Sequence, residues 1–220
     1  MSIKIEVCVD TVESAVAAQQ GGADRVELCD NLFEGGTTPS YGAIKKAREL
    51  LNIGLHVLIR PRAGDFLYSL QEIEIMRLDI EVAKELDADG VVFGVLCEDG
   101  RINTSVTREL IELARPMSVT FHRAFDVSAD ALLAMKELMA VGVDRVLTSG
   151  QAPNAFEGFE TIKRLNEFAG DDLKILACGE LNAENVKRFI GLTNVKEVHL
   201  TGFASIETSM NFRNSAVYMG

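Results

Sequence analysis

The sequence predicts an α/β fold, a (β/α)8 TIM barrel with eight parallel strands, formed as one domain by residues 1–220. Short β-branched runs alternate with longer amphipathic segments along the whole chain. Consecutive runs lie about 30 residues apart, which is enough for one strand, one helix and two short loops. A weak repeat recurs at every second run, as an array of β/α units requires. Its copies are GADRVELC (22–29), DADGVVFG (87–94), GVDRVLTSG (142–150) and NVKEVHLTG (194–202).

The individual elements follow from the same alternation. The predicted strands are residues 3–9, 25–29, 55–60, 90–96, 118–123, 145–149, 174–178 and 197–200. Helical spacing of apolar residues predicts helices that include 12–20, 43–51, 70–86, 129–141 and 157–168. An open doubly wound sheet is the alternative. It needs a glycine-rich turn after the first strand, however, and residues 9–12 read Val-Asp-Thr-Val.

Composition and charge narrow the class of function. The 220 residues carry a formal charge of −11, with 47% apolar and 25% charged residues, as expected of a folded domain. An acidic chain is not attracted to nucleic acid or to anionic membranes. No apolar run reaches the roughly 18–20 residues that span a bilayer, and the N-terminal segment has no signal-peptide cleavage site. The four cysteines form no C-x-x-C pair. We therefore expect a cytoplasmic protein with reduced thiols.

Alternation along the strands places an unusual set of side chains inside the barrel. The apolar face of each strand should contact the helices, so the mixed face points inward. Barrel interiors are usually filled by branched apolar side chains, and buried charges are costly unless they are paired or used. The predicted inward pairs are Glu6 with Cys8, Glu27 with Cys29, Leu58 with Arg60, Thr120 with His122, and Glu197 with His199.

These polar groups have two interpretations. Glu6, Glu27 and Arg60 could form a paired network that only closes a narrow barrel. The alternative is a functional site, because polar residues gather at or just beyond the carboxyl ends of the strands, where barrel enzymes place their chemistry. These residues include Cys8, Cys29, Asn31, Arg60, Arg62, His122, Arg123, Thr148, Ser149 and His199.

Four segments carry a resemblance to a known family. VELCDNLFEGGTTPSYG (26–42), LIRPRAGDFLYS (58–69), TFHRAFD (120–126) and RVLTSG (145–150) resemble the signatures of the copper homeostasis protein CutC family. The similarity extends from Glu6 to SMNFRN (209–214). It implies a (β/α)8 barrel, a role in copper homeostasis, Cu(I) binding through Cys8 and Cys29, and a homodimer.

One segment departs from the family pattern. After the seventh strand the family has a glycine-rich turn, whereas residues 177–181 here read Ala-Cys-Gly-Glu-Leu. Glycines at such a turn let backbone N–H groups approach an anion. Cys178 and Glu180 remove that freedom and add negative charge, so anion binding by this turn is not expected.

The residues themselves agree with a copper site. Cu(I) is a soft ion that favours thiolates. Cys8 and Cys29 lie 29 − 8 = 21 residues apart, which is one β/α unit. We expect their sulfurs at equal heights on neighbouring strands about 4.8 Å apart. Burial as small apolar residues is the alternative, and Cys97 and Cys178 are not expected to take part.

The second functional hypothesis is an enzyme that acts on a small anionic metabolite, a phosphate or a carboxylate. Arg60 and Arg62 flank Pro61 and offer planar guanidinium groups that suit such anions. Glu27 or Glu6 could act as a general base if burial raises its pKa, and His122 or His199 could exchange protons near neutral pH. The predicted substrate-binding residues are Arg62, Arg123, Asn31, Thr148 and Ser149.

Other possibilities limit this hypothesis. Arg60 could simply neutralise Glu27. A divalent ion held by two histidines and two glutamates is less favoured, because His122 and His199 come from strands five and eight. No nucleophile elbow, P-loop or zinc-protease motif occurs, so isomerase, lyase and hydrolase chemistry all stay open.

Overall fold

A computed structural model describes residues 3–202, 204 and 207–217, and it confirms the predicted barrel. Eight parallel strands close into one sheet in chain order, with the first strand paired to the last. The strands are β1 Lys4–Val9, β2 Arg25–Leu28, β3 Gly54–Leu58, β4 Gly90–Phe93, β5 Ser118–Phe121, β6 Arg145–Thr148, β7 Lys174–Ala177 and β8 Glu197–Thr201.

Seven α-helices connect these strands in the described part of the chain. They are α1 Val12–Gln20, α2 Tyr41–Leu50, α3 Leu70–Glu85, α4 Thr104–Ala114, α5 Ala131–Val141, α6 Phe159–Ala169 and α7 Val186–Thr193. Short 3-10 helices, Leu32–Glu34 and Arg123–Val127, follow β2 and β5. Helices α4 and α7 complete the predicted pattern of one helix per step, in addition to the five helices predicted by residue range. No helix of the described residues is long and apolar enough to cross a membrane.

Helix α3 illustrates how local sequence specifies an element. Ser69 accepts a hydrogen bond from the backbone N–H of Glu72, and the Glu72 carboxylate accepts one from the N–H of Ser69. This capping box satisfies two backbone donors that the first turn would otherwise leave unpaired. The residues at helical spacing face inward as the pattern predicts, and the buried ones are Ile73, Met76, Ile80 and Ala83.

Several strands end earlier than predicted. The expected strands 55–60, 90–96 and 118–123 stop at Leu58, Phe93 and Phe121. Beyond the ends of β3 and β5, side chains take part in the hydrogen bonding of the backbone. Thr38 Oγ1 accepts from the N–H of Arg60 at 3.0 Å, and the N–H of Ala124 donates to the ring of His122 at 3.1 Å. Arg60 and His122 therefore lie just beyond the strand ends.

The apolar core lies mainly between the strands and the surrounding helices, and the barrel interior contains little of it. One large cluster of buried apolar residues joins the outward faces of the strands to the helices. Inside the barrel are two small clusters, Cys29 with Leu58 and Val92, and Leu147 with Leu176 and Cys178. The rest of the interior is left to polar side chains.

Ion pairs close the amino-terminal end of the barrel. Arg25 Nε donates to Glu6 Oε2, and its Nη2 donates to Glu197 Oε2 at 2.8 Å. Arg145 Nε donates to the same Glu197 oxygen at 2.7 Å. We call these four residues, Glu6, Arg25, Arg145 and Glu197, the ion-pair layer. Two cations and two anions balance there, so this layer presents no net charge to a ligand.

The predicted closing network of Glu6, Glu27 and Arg60 is therefore wrong in its membership. Glu6 does belong to the layer that closes the barrel, but its cationic partner is Arg25. Register explains this result, because Glu6 of β1 lies directly beside Arg25 of β2. Arg60 lies past the end of β3, too far along the barrel to reach the Glu6 level.

Candidate functional site

A cavity of about 590 Å³ lies at the carboxyl ends of the strands. Its walls include side chains or loops from β1, β2, β3, β5, β7 and β8, so it occupies the end of the barrel where enzymes of this fold place their chemistry. The predicted site residues that line it are Cys8, Glu27, Cys29, Arg60, His122, Arg123 and His199.

Two cysteine sulfurs meet on one side of this cavity. The sulfurs of Cys8 and Cys29 are 3.6 Å apart, and the Cys29 sulfur is 3.3 Å from the backbone oxygen of Val9. One ligand atom each from Cys8, Glu27 and His199 lie within 4.8 Å of one another. We call Cys8, Glu27, Cys29 and His199 the thiol cluster. Three neighbouring strands, β8, β1 and β2, supply it.

The two cysteines are not at equal heights, which corrects the prediction from their spacing. Cys8 pairs with Glu27 in the register between β1 and β2, so Cys29 lies two residues farther along its strand. Strands of a closed barrel tilt and stagger relative to one another, and sequence separation does not reveal that stagger. Their sulfurs still approach because both side chains point into the same narrow interior.

His199 connects the thiol cluster to the ion-pair layer. Its Nδ1 is 2.7 Å from Glu6 Oε1, and its Nε2 is 3.8 Å from Glu27 Oε2. Burial acts to lower the pKa of His199, but the hydrogen bond with Glu6 and the charge of Glu27 outweigh it and raise that pKa. The two carboxylates therefore favour the protonated ring, which must release a proton before Nε2 can bind a metal.

The neighbouring acids respond to the same surroundings. Burial, reinforced by the charge of Glu6, raises the pKa of Glu27 despite the nearby His199. The contact with the Cys29 sulfur, burial and the charge of Glu27 raise the pKa of the Cys8 thiol well above its ordinary value. Burial also acts to raise the pKa of Glu6, but the His199 hydrogen bond and Arg25 lower it overall. Cys8 is therefore a neutral thiol at neutral pH until an ion displaces its proton.

Arg60 occupies the other side of the cavity. Its Nη1 donates to the carbonyl oxygens of Glu34 at 2.9 Å and Gly36 at 2.6 Å, and its Nη2 donates to that of Gly64 at 2.9 Å. These bonds fix the guanidinium between the loops after β2 and β3. Among the described ion pairs none joins Arg60 to Glu27, so the proposed mutual neutralisation is wrong.

His122 lies beside Arg60 in a tightly shaped pocket. Its ring packs on the ring of Phe66, with centroids 4.8 Å apart. The guanidinium carbon of Arg60 lies 5.3 Å from the centroid of the Phe66 ring. A Cβ at Gly94 would come within 2.6 Å of the His122 ring, so any larger residue at position 94 would clash with the ring. Burial and the charge of Arg60 lower the pKa of His122 to about 3. The imidazole is therefore neutral at physiological pH.

Arg62 does not reach the cavity, although it was predicted to bind substrate there. Its guanidinium donates to Asp65 Oδ1 at 2.9 Å and to Glu72 Oε1 at 2.5 Å, and it packs against Tyr68. Two local carboxylates thus hold this cation on the outer side of the loop. The stiffening effect of Pro61 does not place both arginines at the barrel mouth.

Thr148 and Ser149 do not form an open anion site, because the protein supplies its own anion. The Asp126 carboxylate accepts hydrogen bonds from the hydroxyls of Thr148 and Ser149 and from the backbone N–H groups of Ser149 and Gln151. Arg123 donates to Asp126 at 2.8 Å and to Ser149 Oγ at 2.8 Å. Of these residues, Arg123 and Asp126 line the cavity.

Two further predicted residues lie outside the cavity wall. Asn31 is exposed, has a left-handed backbone with φ of 52°, and accepts backbone hydrogen bonds from Glu34 and Gly36 through its carbonyl. Glu6 lies below the cavity, with its carboxylate bound by Arg25 and His199. Glu6 orients His199, whereas Asn31 shapes the loop.

Sequence reasoning missed several residues that build this interior. Strand alternation could have placed Arg25 beside Glu27 and His56 beside Leu58, since residues two apart share a face. Cys178, which was not expected to take part in a copper site, lines the cavity. Glu180, from the turn after β7 that differs from the family pattern, lines it as well. The bonding of Asp126 across two strands leaves no signal in the sequence.

Comparison with known proteins agrees with the resemblance. The CutC family profile matches residues 3–204. A Bacteroides fragilis protein named as a CutC family protein is 50% identical over 98% of this chain and 86% of its own length. The chain belongs to the CutC family. The human protein named copper homeostasis protein cutC homolog is 47% identical over 98% of this chain and 79% of its own length.

A solved structure extends the match to three dimensions. A crystal structure of CutC from Streptococcus agalactiae has a TM-score of 0.86 and 37% sequence identity, and it covers 90% of this chain and 97% of its own chain. The predicted family and fold are both confirmed. The sulfurs of Cys8 and Cys29 lie together at the cavity, in the thiol cluster.

Proposed function

We propose that this CutC-family protein binds Cu(I) through Cys8 and Cys29 and thereby serves copper homeostasis. The observation that carries the proposal is the 3.6 Å approach of the two sulfurs. Soft thiolates are the ligands that Cu(I) favours. The human relative is named a copper homeostasis protein, and its similarity over nearly the whole chain supports the same cellular role here.

The spacing of the sulfurs suits one shared ion. If each sulfur lies about 2.3 Å from the ion, the distance typical of zinc thiolates, sulfurs 3.6 Å apart subtend an angle of about 100° at it. A linear site would need sulfurs about 4.6 Å apart. The bent arrangement leaves one side of the ion open to a third ligand, and Glu27 and His199 are the groups at hand.

His199 supports this interpretation through its partner. Histidines that bind metals usually direct their second ring nitrogen to a carboxylate or carbonyl, which fixes the orientation of the ring. Here Nδ1 contacts Glu6 at 2.7 Å, so Nε2 faces Glu27 and Cys8. Glu6 is thus a positioning residue for His199.

Binding of the ion is coupled to proton release. The pKa of Cys8 is raised, chiefly by its contact with the Cys29 sulfur and by burial, so the ion must displace protons to form thiolates. Cu(I) affinity is therefore expected to rise with pH through the neutral range.

Reduced cysteines are typical of the cytoplasm, and all four are free in the structure. Cytoplasmic location and a homodimer stay predictions.

Competition for Cu(I) against a chromophoric chelator under anaerobic conditions tests the proposal. The double variant Cys8→Ser/Cys29→Ser is expected to lose more affinity than the roughly 10- to 100-fold typical of losing a residue that only orients a ligand. Glu6→Gln should fall within that smaller range, because it leaves both sulfurs in place.

Cys97→Ser is the matched control, since Cys97 lies in the loop after β4 and outside the cavity wall. It should bind Cu(I) as the wild type does. X-ray absorption of the copper-loaded wild type should show sulfur neighbours. Wild-type affinity in the double variant would eliminate the site.

A further inference from the structure

Two buried nitrogens of residues in the cavity wall have no hydrogen-bond partner. Six buried side-chain polar atoms of the described residues lack a hydrogen-bond partner. Only two of them belong to residues that line the cavity, namely Nε of Arg60 and Nε2 of His122. Arg60 is 6% exposed and His122 is 5% exposed. Buried donors without partners are rare in native proteins, and each calls for an explanation.

The protonation of both groups is set by their surroundings. The N–H of Ala124 donates to Nδ1 of His122 at 3.1 Å, so Nδ1 carries a lone pair and the ring proton lies on Nε2. The two outer nitrogens of Arg60 are bound to three loop carbonyls, so Nε is its one nitrogen without a hydrogen-bond partner. The neutral Nε2–H of His122 and the cationic Nε–H of Arg60 therefore have no acceptor among the described residues.

We propose that Arg60 Nε–H and His122 Nε2–H bind the carboxylate of a small organic acid whose apolar part packs on Phe66. The proposal goes beyond Cu(I) binding and does not depend on it, because neither residue belongs to the thiol cluster. A cavity of about 590 Å³ is far larger than an ion needs and falls within the range of small-molecule sites.

Charge selects a carboxylate over a phosphate. Arg60 supplies one positive charge, and His122 supplies a neutral donor, which together match a monoanion. A phosphate dianion would need further cations or backbone N–H groups. The other basic residues of the wall, Arg123 and His199, are already paired with Asp126 and Glu6. Asp126 also occupies the donors around Thr148 and Ser149, and Glu180 adds a carboxylate to the wall.

The surroundings favour an organic acid with an apolar body. Phe66 lies against both donors, at 4.8 Å from the His122 ring and 5.3 Å from the Arg60 guanidinium carbon. Leu58, Val127 and Leu147 also line the cavity. An apolar group beside the carboxylate would be removed from water there, as in most small-molecule pockets.

Isothermal titration calorimetry of the full-length, metal-free protein with benzoate, pyruvate and inorganic phosphate tests the proposal. We expect saturable binding of at least one of the two carboxylates and weaker binding of phosphate. His122→Leu should weaken carboxylate binding roughly 10-fold or more, because the bond to a charged acceptor is lost. His122→Gln, which keeps an N–H donor, should recover part of it.

Two controls separate this site from others. Arg62→Ala should not change carboxylate affinity, because Arg62 is paired in its own loop and lies outside the cavity wall. Cys8→Ser/Cys29→Ser should also bind carboxylates normally, so failure of the copper site and of this site are distinguishable. In the 15N-labelled wild type, the carboxylate that binds should shift the His122 Nε2–H resonance, a measurement that needs no variant.

The contrary outcomes are equally clear. No saturable binding of either carboxylate, an unmoved His122 resonance, or undiminished binding by His122→Leu would each overturn the site. Phosphate binding more tightly than both carboxylates would overturn the assigned ligand class.

Discussion

The two ends of the barrel interior contain similar side chains but pair them differently. At the amino-terminal end, Arg25 and Arg145 share the carboxylates of Glu6 and Glu197 through bonds that leave the layer neutral. At the carboxyl-terminal end, Arg60 donates only to backbone carbonyls, and His122 keeps an unused N–H. Burial alone therefore does not distinguish structural charges from functional ones.

The difference in pairing is the informative feature. A fully paired charge layer stabilises a closed barrel provided that every partner is present. Unpaired donors and protonated thiols beside a cavity contribute little to folding and remain available to a ligand. His199 belongs to both regions, since it binds Glu6 below and faces Glu27 above.

The largest expected effect comes from breaking the ion-pair layer. Arg25→Met should cost about 3–5 kcal/mol of unfolding free energy, because it leaves two buried carboxylates with fewer partners. Urea denaturation followed by circular dichroism measures the loss. Arg77→Met is the matched control, since Arg77 also contacts two carboxylates, Glu74 and Glu109, but does so at the surface.

Arg77→Met should leave the urea midpoint nearly unchanged, because exposed ion pairs are screened by solvent. Equal losses in the two variants would contradict the distinction between the paired layer and the surface.

An intermediate effect should appear on acidification. Burial lowers the pKa of His122 to about 3 and that of His56 to about 4, against about 6.5 in an unfolded chain. Between those values the unfolded state binds more protons, so stability is complete above pH 6.5 and falls as pH decreases. Each histidine should remove about 2 kcal/mol between pH 7.5 and pH 5.

Urea denaturation of the wild type and of His122→Leu at pH 7.5 and pH 5 measures this contribution. The variant should lose about 2 kcal/mol less than the wild type over that interval. Parallel pH profiles of the two proteins would show that His122 is not held neutral in the fold.

The last comparison concerns two glycines. Gly94→Ala should destabilise the protein by about 1–3 kcal/mol, because its Cβ would lie 2.6 Å from the His122 ring and 2.9 Å from Ala124. Gly191→Ala in α7 should instead stabilise it by about 0.5–1 kcal/mol, since nothing lies within 4 Å and alanine favours a helix. Thermal denaturation should show midpoints that shift in opposite directions. Two shifts of the same sign would refute the packing argument at Gly94.

Much of the site follows from strand alternation. Glu6, Cys8, Glu27 and Cys29 point inward as predicted, because side chains two residues apart share one face of a strand. Alternation does not reveal partners, and for this reason Arg60 was assigned to Glu27 and Arg62 to the cavity. Both arginines are held by loop groups whose positions depend on the folded turns.

The sequence by itself determined the barrel, its family and the inward direction of the cysteines, since periodic patterns and local motifs are properties of short segments. The tertiary structure alone decided which charges pair, how far Cys29 is staggered from Cys8, and that Asp126 fills the expected anion site. These facts depend on strand register and loop geometry, which bring together atoms that lie far apart along the chain.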